Sequence, residues 1–231
     1  MRVPGSALAG ALLCTALLVV LPAAPAFADP ACPGSDTQPT ASNLPEVEAA
    51  TLCLVNVQRA QNGLGALTAN AVLRSAALQH SQDMVKNNFF SHDSSSGEDF
   101  EDRILRFKYA PRNARFVVGE NIAWGTLSLA TPDAIVSGWM NSPPHRANIL
   151  GKKYKELGVG IVASTPDGDP TGATYTADFG VKASAPPRVA KKHKKHKAGR
   201  RHHRAKKKHH KAKKHGGCKP TSNSAVSLCS G

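Results

Sequence analysis

The last fifth of the sequence, residues 183–231, contains no acidic and no aromatic residue. By contrast, 16 of the 30 Lys and Arg residues and seven of the ten His residues lie there. Because no aromatic ring can stack on a base, this segment is poorly suited to sequence-specific recognition of nucleic acid. Residues 191–215 offer nothing from which to build a core, so we expect residues 183–231 to form a disordered basic tail.

The sequence also lacks the short motifs of two large hydrolase classes. It has no H-E-x-x-H pair of zinc ligands on one helix face and no G-x-S-x-G nucleophile elbow. These absences argue against a zincin-type metalloprotease and against a serine hydrolase of the elbow type.

Nothing after residue 28 resembles a membrane span. The long apolar run, residues 7–21, follows Arg2 and precedes the small-residue triplet Ala26-Phe27-Ala28. This order predicts a secretory signal peptide over residues 1–28. The run is shorter than the ~20 residues of a spanning helix, which disfavours a membrane anchor.

Export makes the cysteines informative, because disulfides persist outside the cytosol. After the signal peptide the chain retains Cys32, Cys53, Cys218 and Cys229. Four cysteines allow three connectivities, and the cost of closing long loops favours Cys32 with Cys53 and Cys218 with Cys229. The first bond would tie an N-terminal arm, residues 29–43, to a helix. The second pair would close a loop in the tail or remain as free thiols.

Apolar residues recur at helical spacing in four segments. The first should begin at a cap on Asn43 or Ser42 and end at Asn62-Gly63. In the second, His80 falls on the buried face and is expected to be a hydrogen-bonded core histidine. The four predicted helices cover about residues 44–61, 69–87, 99–108 and 132–141, the last ending before Pro143-Pro144.

Strand patterns occur at residues 116–118, 158–163 and 173–181, with a hairpin loop predicted at 165–172. Alternation in the last strand places Tyr175, Ala177 and Phe179 on one buried face, and Thr174, Thr176 and Asp178 on the opposite face. The pattern predicts one helix-rich α+β domain over residues 44–182.

Three polar residues within residues 89–150 are the main candidates for function. His92, Glu120 and His145 stand 28 and 25 residues apart. No single helix or loop spans such distances, so only a folded domain can bring these side chains together.

Short motifs around these residues follow one another in a characteristic order. They are Phe90-Ser91-His92, Gly119-Glu120-Asn121, Trp139-Met140-Asn141-Ser142, His145-Arg146-Ala147-Asn148 and Gly158-Val159-Gly160. Over about residues 47–181 the chain resembles the CAP superfamily of cysteine-rich secretory, antigen 5 and pathogenesis-related 1 proteins. The resemblance implies an α-β-α sandwich with a cleft in which two histidines and two acidic residues meet.

The resemblance places His92, Glu120 and His145 at three of the four cleft positions and Ser142, instead of a glutamate, at the fourth. It implies a ligand cleft formed by His92, Glu120, Asn121, Ser142 and His145. Asn121 and Asn148 are expected to satisfy backbone groups around it. Two His with one Glu is also the ligand count of an open zinc site, so Zn²⁺ or another divalent metal bound by His92, His145 and Glu120 is a candidate cofactor.

Two interpretations of Ser142 remain open from the sequence. With His145 and Glu120 it forms the residue set of a Ser-His-Glu hydrolase. Alternatively, it is the N-cap of a short helix that carries His145.

The sequence therefore predicts a secreted monomer that binds a small molecule, a lipid or a divalent metal in this cleft. Its tail should hold it at an anionic cell-wall polymer or membrane surface and contact nucleic acid only non-specifically. The alternative is an extracellular protease, esterase or metal-dependent enzyme that uses the same cleft.

Overall fold

A computed structural model describes residues 32–111 and 114–182, and the backbone of residues 226–230. These ranges contain a 3₁₀ turn at Leu127–Ala130, five α-helices and five strands. The helices are α1 (Leu44–Gln61), α2 (Ala71–Lys86), α3 (Phe100–Arg106), α4 (Pro132–Asn141) and α5 (Pro143–Ile149). The strands are β1 (Thr68–Ala69), β2 (Phe116–Thr126), β3 (Glu156–Val162), β4 (Gly172–Lys182) and β5 (Val226–Ser230).

The strands form one mixed sheet in the order β1-β3-β4-β2-β5. β1 runs parallel to β3, whereas the other neighbouring strands are antiparallel. β2 and β4 pair from Phe116 opposite Lys182 to Thr126 opposite Gly172. The strand predicted at residues 116–118 therefore continues through Glu120 to Thr126, because buried partners satisfy the polar side chains that interrupt its apolar pattern.

Helices cover both faces of the sheet, which confirms the predicted α-β-α sandwich. On one face, α2 lies directly against Gly158 and Gly160 of β3. A Cβ atom at either glycine would lie 2.1 Å from a backbone nitrogen of α2, that of Arg74 or Leu78. Only glycine permits this close approach.

On the other face, α1 packs against β3 and α4 packs against β2. The shared core there includes Val47, Trp139, Leu157, Tyr175 and Phe179, all at most 1% exposed. Burial of such large side chains is the main source of stability for this layer.

The polar face of β4 is also buried, in contrast to the expected strand with one buried face. Thr174, Thr176 and Asp178 are completely inaccessible because α2 covers them. Ser81 of α2 bonds to the Thr176 hydroxyl at 2.9 Å and donates to the Gly160 carbonyl at 2.9 Å. A polar layer therefore lies between β4 and α2.

Cys32 and Cys53 form a disulfide with a Cα–Cα distance of 5.7 Å, as predicted. The bond ties the N-terminal arm to α1. In the chain-entropy model a loop of this size contributes roughly 3 kcal/mol by restricting the unfolded state. Cys218 and the side chain of Cys229 lie outside the described residues, so their pairing remains a prediction.

Residues 226–230 correct the expectation of a tail without structure. They form β5, which pairs with β2 from Asn121 opposite Ser230 to Gly125 opposite Val226. Val226 and Leu228 alternate with Ser227 and Cys229, a strand pattern that the preceding run of charges conceals. The predicted signal peptide and residues 183–225 lie outside the described residues.

In the part of the chain that the structure describes, none of the helices combines the length and the apolar character that crossing a membrane requires.

Candidate functional site

Glu120, at the centre of β2, is the hub of the candidate site. One carboxylate oxygen accepts a hydrogen bond from His92 Nδ1 at 2.6 Å, and the other accepts one from Arg103 Nη2. Glu120 is 2% exposed and Arg103 is inaccessible. A carboxylate buried this deeply requires such charged, hydrogen-bonded partners.

The charge state of Glu120 follows from two opposing effects. Burial alone would raise the pKa of its carboxyl group, but the charge of Arg103, assisted by the hydrogen bond from His92, holds this pKa well below its usual range. Glu120 therefore remains ionised at neutral pH. Because both of its oxygens already accept short bonds, it is poorly placed to act as a general base.

Arg103 is the site residue that sequence reasoning missed. It also donates to the His92 carbonyl at 3.1 Å and to Ser94 Oγ at 2.9 Å, so it fixes the His92 loop as well as Glu120. The available signal was its position. Together with Phe100, Ile104 and Phe107 it completes an i, i+3, i+4, i+7 stripe, which places a charged residue on the buried face of α3.

Local capping positions Arg103. The Asp99 side chain accepts a hydrogen bond from the Asp102 backbone N–H at 2.8 Å, and Glu101 and Asp102 lie in the positively polarised first turn of α3. This short helix therefore begins at a defined residue. Its start fixes which side of α3 carries Arg103, and that side faces Glu120 of β2.

The loop before α3 holds His92 from a second direction. His80 of α2 is inaccessible, and its Nε2 donates to the Ser91 carbonyl at 2.8 Å. This agrees with the prediction that His80 is a hydrogen-bonded core histidine. Buried side chains thus bind the carbonyls of both Ser91 and His92, which leaves His92 little freedom to move.

His145 forms the second half of the site together with Ser142. His145 Nδ1 lies 2.7 Å from Ser142 Oγ, and His145 is 1% exposed. Ser142 occupies the N-cap position of α5, but its side chain makes no capping bond. Ser142 is therefore the N-cap residue of α5, as one interpretation expected, but its hydroxyl bonds to the His145 ring instead of to a backbone N–H.

Two asparagines connect the halves, as the sequence predicted. Asn148 Nδ2 donates to the Glu120 carbonyl at 3.0 Å and to Asn121 Oδ1 at 2.9 Å. Asn121 Nδ2 in turn donates to the His145 carbonyl at 3.1 Å. The backbone of β2 and the start of α5 are thus joined through these two amide side chains.

Further side chains bind neighbouring carbonyls of β2. Tyr154 donates its hydroxyl to the Val118 carbonyl at 3.2 Å, and Trp139 Nε1 donates to the Ile122 carbonyl at 3.3 Å. Asn148 donates to the Glu120 carbonyl between them. The alternate backbone carbonyls at 118, 120 and 122 therefore all accept hydrogen bonds from side chains. This strand is therefore held in a rigid frame around Glu120.

The geometry does not support the predicted zinc site of His92, Glu120 and His145. Within residues 32–111 and 114–182 no group of three or more His, Cys, Asp or Glu side chains is placed to hold a metal ion. A carboxylate ligand must offer a lone pair to the metal, whereas the Glu120 oxygens are bound to His92 and Arg103. The residues therefore do not fit this cofactor.

A second carboxyl group lies next to Glu120, on β4. Asp178 is its cross-strand partner and is inaccessible. Burial and the nearby Glu120 charge raise the pKa of Asp178 well above its usual range, so this group is neutral at neutral pH. The neutral carboxyl can donate its proton to Glu120. No local pattern signals this role, because Asp178 follows Thr174 and Thr176 as an ordinary polar position of an alternating strand.

Replacing Asp178 by Asn should change how stability depends on pH. In the unfolded chain Asp178 ionises near pH 4, whereas in the folded protein it remains protonated. Its contribution is therefore fully present below about pH 4 and is lost as pH rises towards the raised folded pKa. Asp178→Asn needs no proton, and its amide can still donate to Glu120.

We expect the stability of Asp178→Asn relative to the original chain to increase from pH 4 to pH 8, by at most about 1.4 kcal/mol per pH unit. Urea unfolding at several pH values measures this difference. Asp36→Asn, the same substitution at an exposed position, is the control. A difference that stays constant or shrinks with rising pH would show that Asp178 is ionised in the folded protein.

Comparison with known proteins places this fold and site in a family. The model of the CAP family, "Cysteine-rich secretory protein family", matches residues 52–179. The uncharacterized protein YkwD of Bacillus subtilis (strain 168) is 36% identical over 126 residues, 54% of this chain and 44% of that protein. The uncharacterized membrane protein YlbC of the same organism is 37% identical over 110 residues, 48% of this chain and 30% of that protein. The chain thus spans less than half the length of these curated relatives.

Two solved structures are also similar to this chain. An extracellular protein containing an SCP domain from Bacillus anthracis str. Ames is 30% identical with a TM-score of 0.48, over 61% of this chain and 43% of that one. A cysteine-rich secretory protein from Staphylococcus aureus subsp. aureus Mu50 is 22% identical with a TM-score of 0.44, over 61% of this chain and 40% of that one. Because the family model matches more than half of its residues, this chain belongs to the CAP (cysteine-rich secretory protein) family.

Proposed function

We propose that this chain is an extracellular CAP-domain binding protein that the basic tail holds at an anionic surface. The observation that carries the binding role is the saturation of Glu120, whose two oxygens accept bonds from His92 and Arg103. A carboxylate in this state orients a histidine and neutralises charge, but it neither takes up a proton readily nor coordinates a metal. This favours recognition over catalysis.

The polar groups of the site define the chemistry of the ligand. His92 donates through Nδ1 to Glu120, which fixes the orientation of its ring. Its imidazole is suited to hydrogen-bonding groups such as hydroxyls and amides. Ser142 and His145 add hydroxyl and imidazole groups on the other side of Asn121. The chemistry therefore suits a small hydroxyl-bearing molecule or a polar lipid headgroup.

The tail supplies attachment to a surface. Its 16 Lys and Arg residues with no acidic residue contrast with a body in which 14 Lys and Arg face all 16 Asp and Glu. A polycation of this kind binds phosphate-bearing polymers by releasing their counterions, without reading sequence or shape. The apolar run at residues 7–21, which predicts export, supports an extracellular location for both parts. The solved Bacillus anthracis relative is itself described as extracellular.

Neutralising part of the tail should weaken binding to an anionic surface. We expect the full chain to sediment with vesicles of equal phosphatidylglycerol and phosphatidylcholine at low salt, and to be released as NaCl rises because the charges are screened. The triple variant Lys206→Gln/Lys207→Gln/Lys208→Gln should need less salt for release.

The matched control is Lys152→Gln/Lys153→Gln/Lys155→Gln, which removes three exposed charges from the folded domain. It should shift the release point less than the tail variant does. Equal shifts, or retention that 0.5 M NaCl does not disturb, would contradict attachment through the tail. Polyphosphate in place of the vesicles distinguishes a general polyanion from a lipid surface.

A hydrolase is the second candidate, favoured by the 2.7 Å contact between Ser142 Oγ and His145 Nδ1. A histidine so placed can accept the proton of a serine nucleophile. The family position that would hold a second acidic residue is thus filled by a hydroxyl. The carboxylate of the expected Ser-His-Glu set, however, bonds to His92 and Arg103.

Hydrolysis of p-nitrophenyl acetate separates these two functions. Under the binding proposal, the full chain, Ser142→Ala and Ser75→Ala should all hydrolyse the ester at the same slow rate. Ser75 is the control because it is exposed and its hydroxyl bonds to its own helix at Ala71. Turnover that disappears in Ser142→Ala and persists in Ser75→Ala would instead establish the hydrolase.

A further inference from the structure

Four buried side-chain atoms near Glu120 have no hydrogen-bond partner among the described residues. They are His80 Nδ1, Arg103 Nε and both oxygens of Asp178. All three residues have zero exposure. Buried polar atoms are almost always satisfied by protein or by ordered water, so four such atoms in one region require an explanation.

These atoms belong to one region because they surround the same ion pair. Arg103 contacts Glu120 directly, and Asp178 is the cross-strand partner of Glu120. The charges of Glu120 and Arg103 both act on His80 and on Asp178. The region therefore lies between β4, α2 and α3, beneath the residues of the candidate cleft.

The donor and acceptor roles of the four atoms follow from their other bonds. The Ser91 carbonyl can only accept, so the proton of the His80 ring is on Nε2 and Nδ1 is an acceptor. Burial lowers the pKa of His80 to about 4, which is consistent with this neutral ring. Arg103 Nε carries a hydrogen and is a donor.

Asp178 supplies a second acceptor. Neither of its oxygens has a partner, so the neutral carboxyl leaves one O–H donor and one acceptor oxygen unsatisfied. The unsatisfied set is therefore two donors and two acceptors. A group that only donates cannot satisfy Arg103 Nε–H, and a group that only accepts cannot satisfy His80 Nδ1, so the set calls for a partner that does both.

We propose that an ordered internal water occupies this region, donating to His80 Nδ1 and Asp178 and accepting from Arg103 Nε–H. Water matches the set, since it offers two donors and two acceptors and typically makes about three bonds in protein interiors. The bound water fixes the Arg103 guanidinium through Nε while Nη2 holds Glu120. The water thereby stabilises the ion pair between Arg103 and Glu120. This role does not depend on the ligand proposed for the cleft.

Crystallography of the full chain, with water-¹⁷O magnetic relaxation dispersion in solution, tests this directly. We expect electron density for a water within about 3.2 Å of at least two of the three side chains, the upper limit of ordinary hydrogen bonds. Asp178→Leu removes one water partner and fills space with apolar atoms, so the dispersion signal should fall by one long-lived water. Asp178→Asn keeps both an acceptor and a donor and should retain it.

Ser81→Ala is the matched control. Ser81 lies in the same polar layer, but its hydroxyl already bonds to Gly160 and Thr176, so its loss should leave this water in place. If Asp178→Leu fails to fold, the original chain and Asp178→Asn still decide the question. A dry region in which Arg103 Nε pairs directly with His80 or Asp178 would overturn the proposal, as would an equal water count in a folded Asp178→Leu.

Discussion

The buried ion pair between Arg103 and Glu120 is the interaction on which the candidate site depends. Neither side chain is accessible to solvent, so neither charge can be retained without the other. Breaking such a pair by removing one partner typically costs about 3–5 kcal/mol, because an uncompensated charge remains in the interior. The pair joins α3 to β2, and through the bond from Arg103 to the His92 carbonyl it also fixes the loop between α2 and α3.

The layers of the fold enclose the ion pair between Arg103 and Glu120. Gly158 and Gly160 bring α2 onto the sheet, and the polar side chains of β4 are thereby enclosed with Glu120. On the opposite side, the amides of Asn121 and Asn148 connect the same strand to His145. One strand thus carries the two halves of the site, with Glu120 facing His92 and Asn121 facing His145. Ligand recognition at such a place requires little rearrangement, which lowers the entropic cost of binding.

Much of the fold could be predicted from the sequence. The spacing of apolar residues and the residues at helix ends determine helices through contacts that are local in the chain. The helices began and ended close to the predicted residues, and the Cys32–Cys53 bond was predicted from sequence distance alone. The extent of β2 was missed since Glu120 and Asn121 interrupt its apolar pattern, and their burial depends on partners far away in the chain. The strand at residues 226–230 was missed because a long charged segment precedes it.

The residues of the site were predicted better than their chemistry. His92, Glu120 and His145 came from motif order, and their neighbours Asn121 and Asn148 make the bonds expected of them. The roles of Arg103 and Asp178 depend on tertiary contacts that no local pattern encodes, and these contacts turn Glu120 from a possible metal ligand into a saturated carboxylate. Ser142 is the N-cap residue of α5 as one interpretation expected, but its hydroxyl bonds to the His145 ring, a tertiary detail that the sequence pattern does not encode.

The central claim is that Glu120 is permanently ionised and held by Arg103 and His92. The most direct test is a ¹³C NMR titration of the Glu120 side-chain carboxyl in the folded full chain. The account predicts a chemical shift typical of a carboxylate down to the lowest pH at which the domain remains folded. Protonation of Glu120 in the folded protein with a midpoint near the ordinary glutamate value of about 4.3 would contradict it.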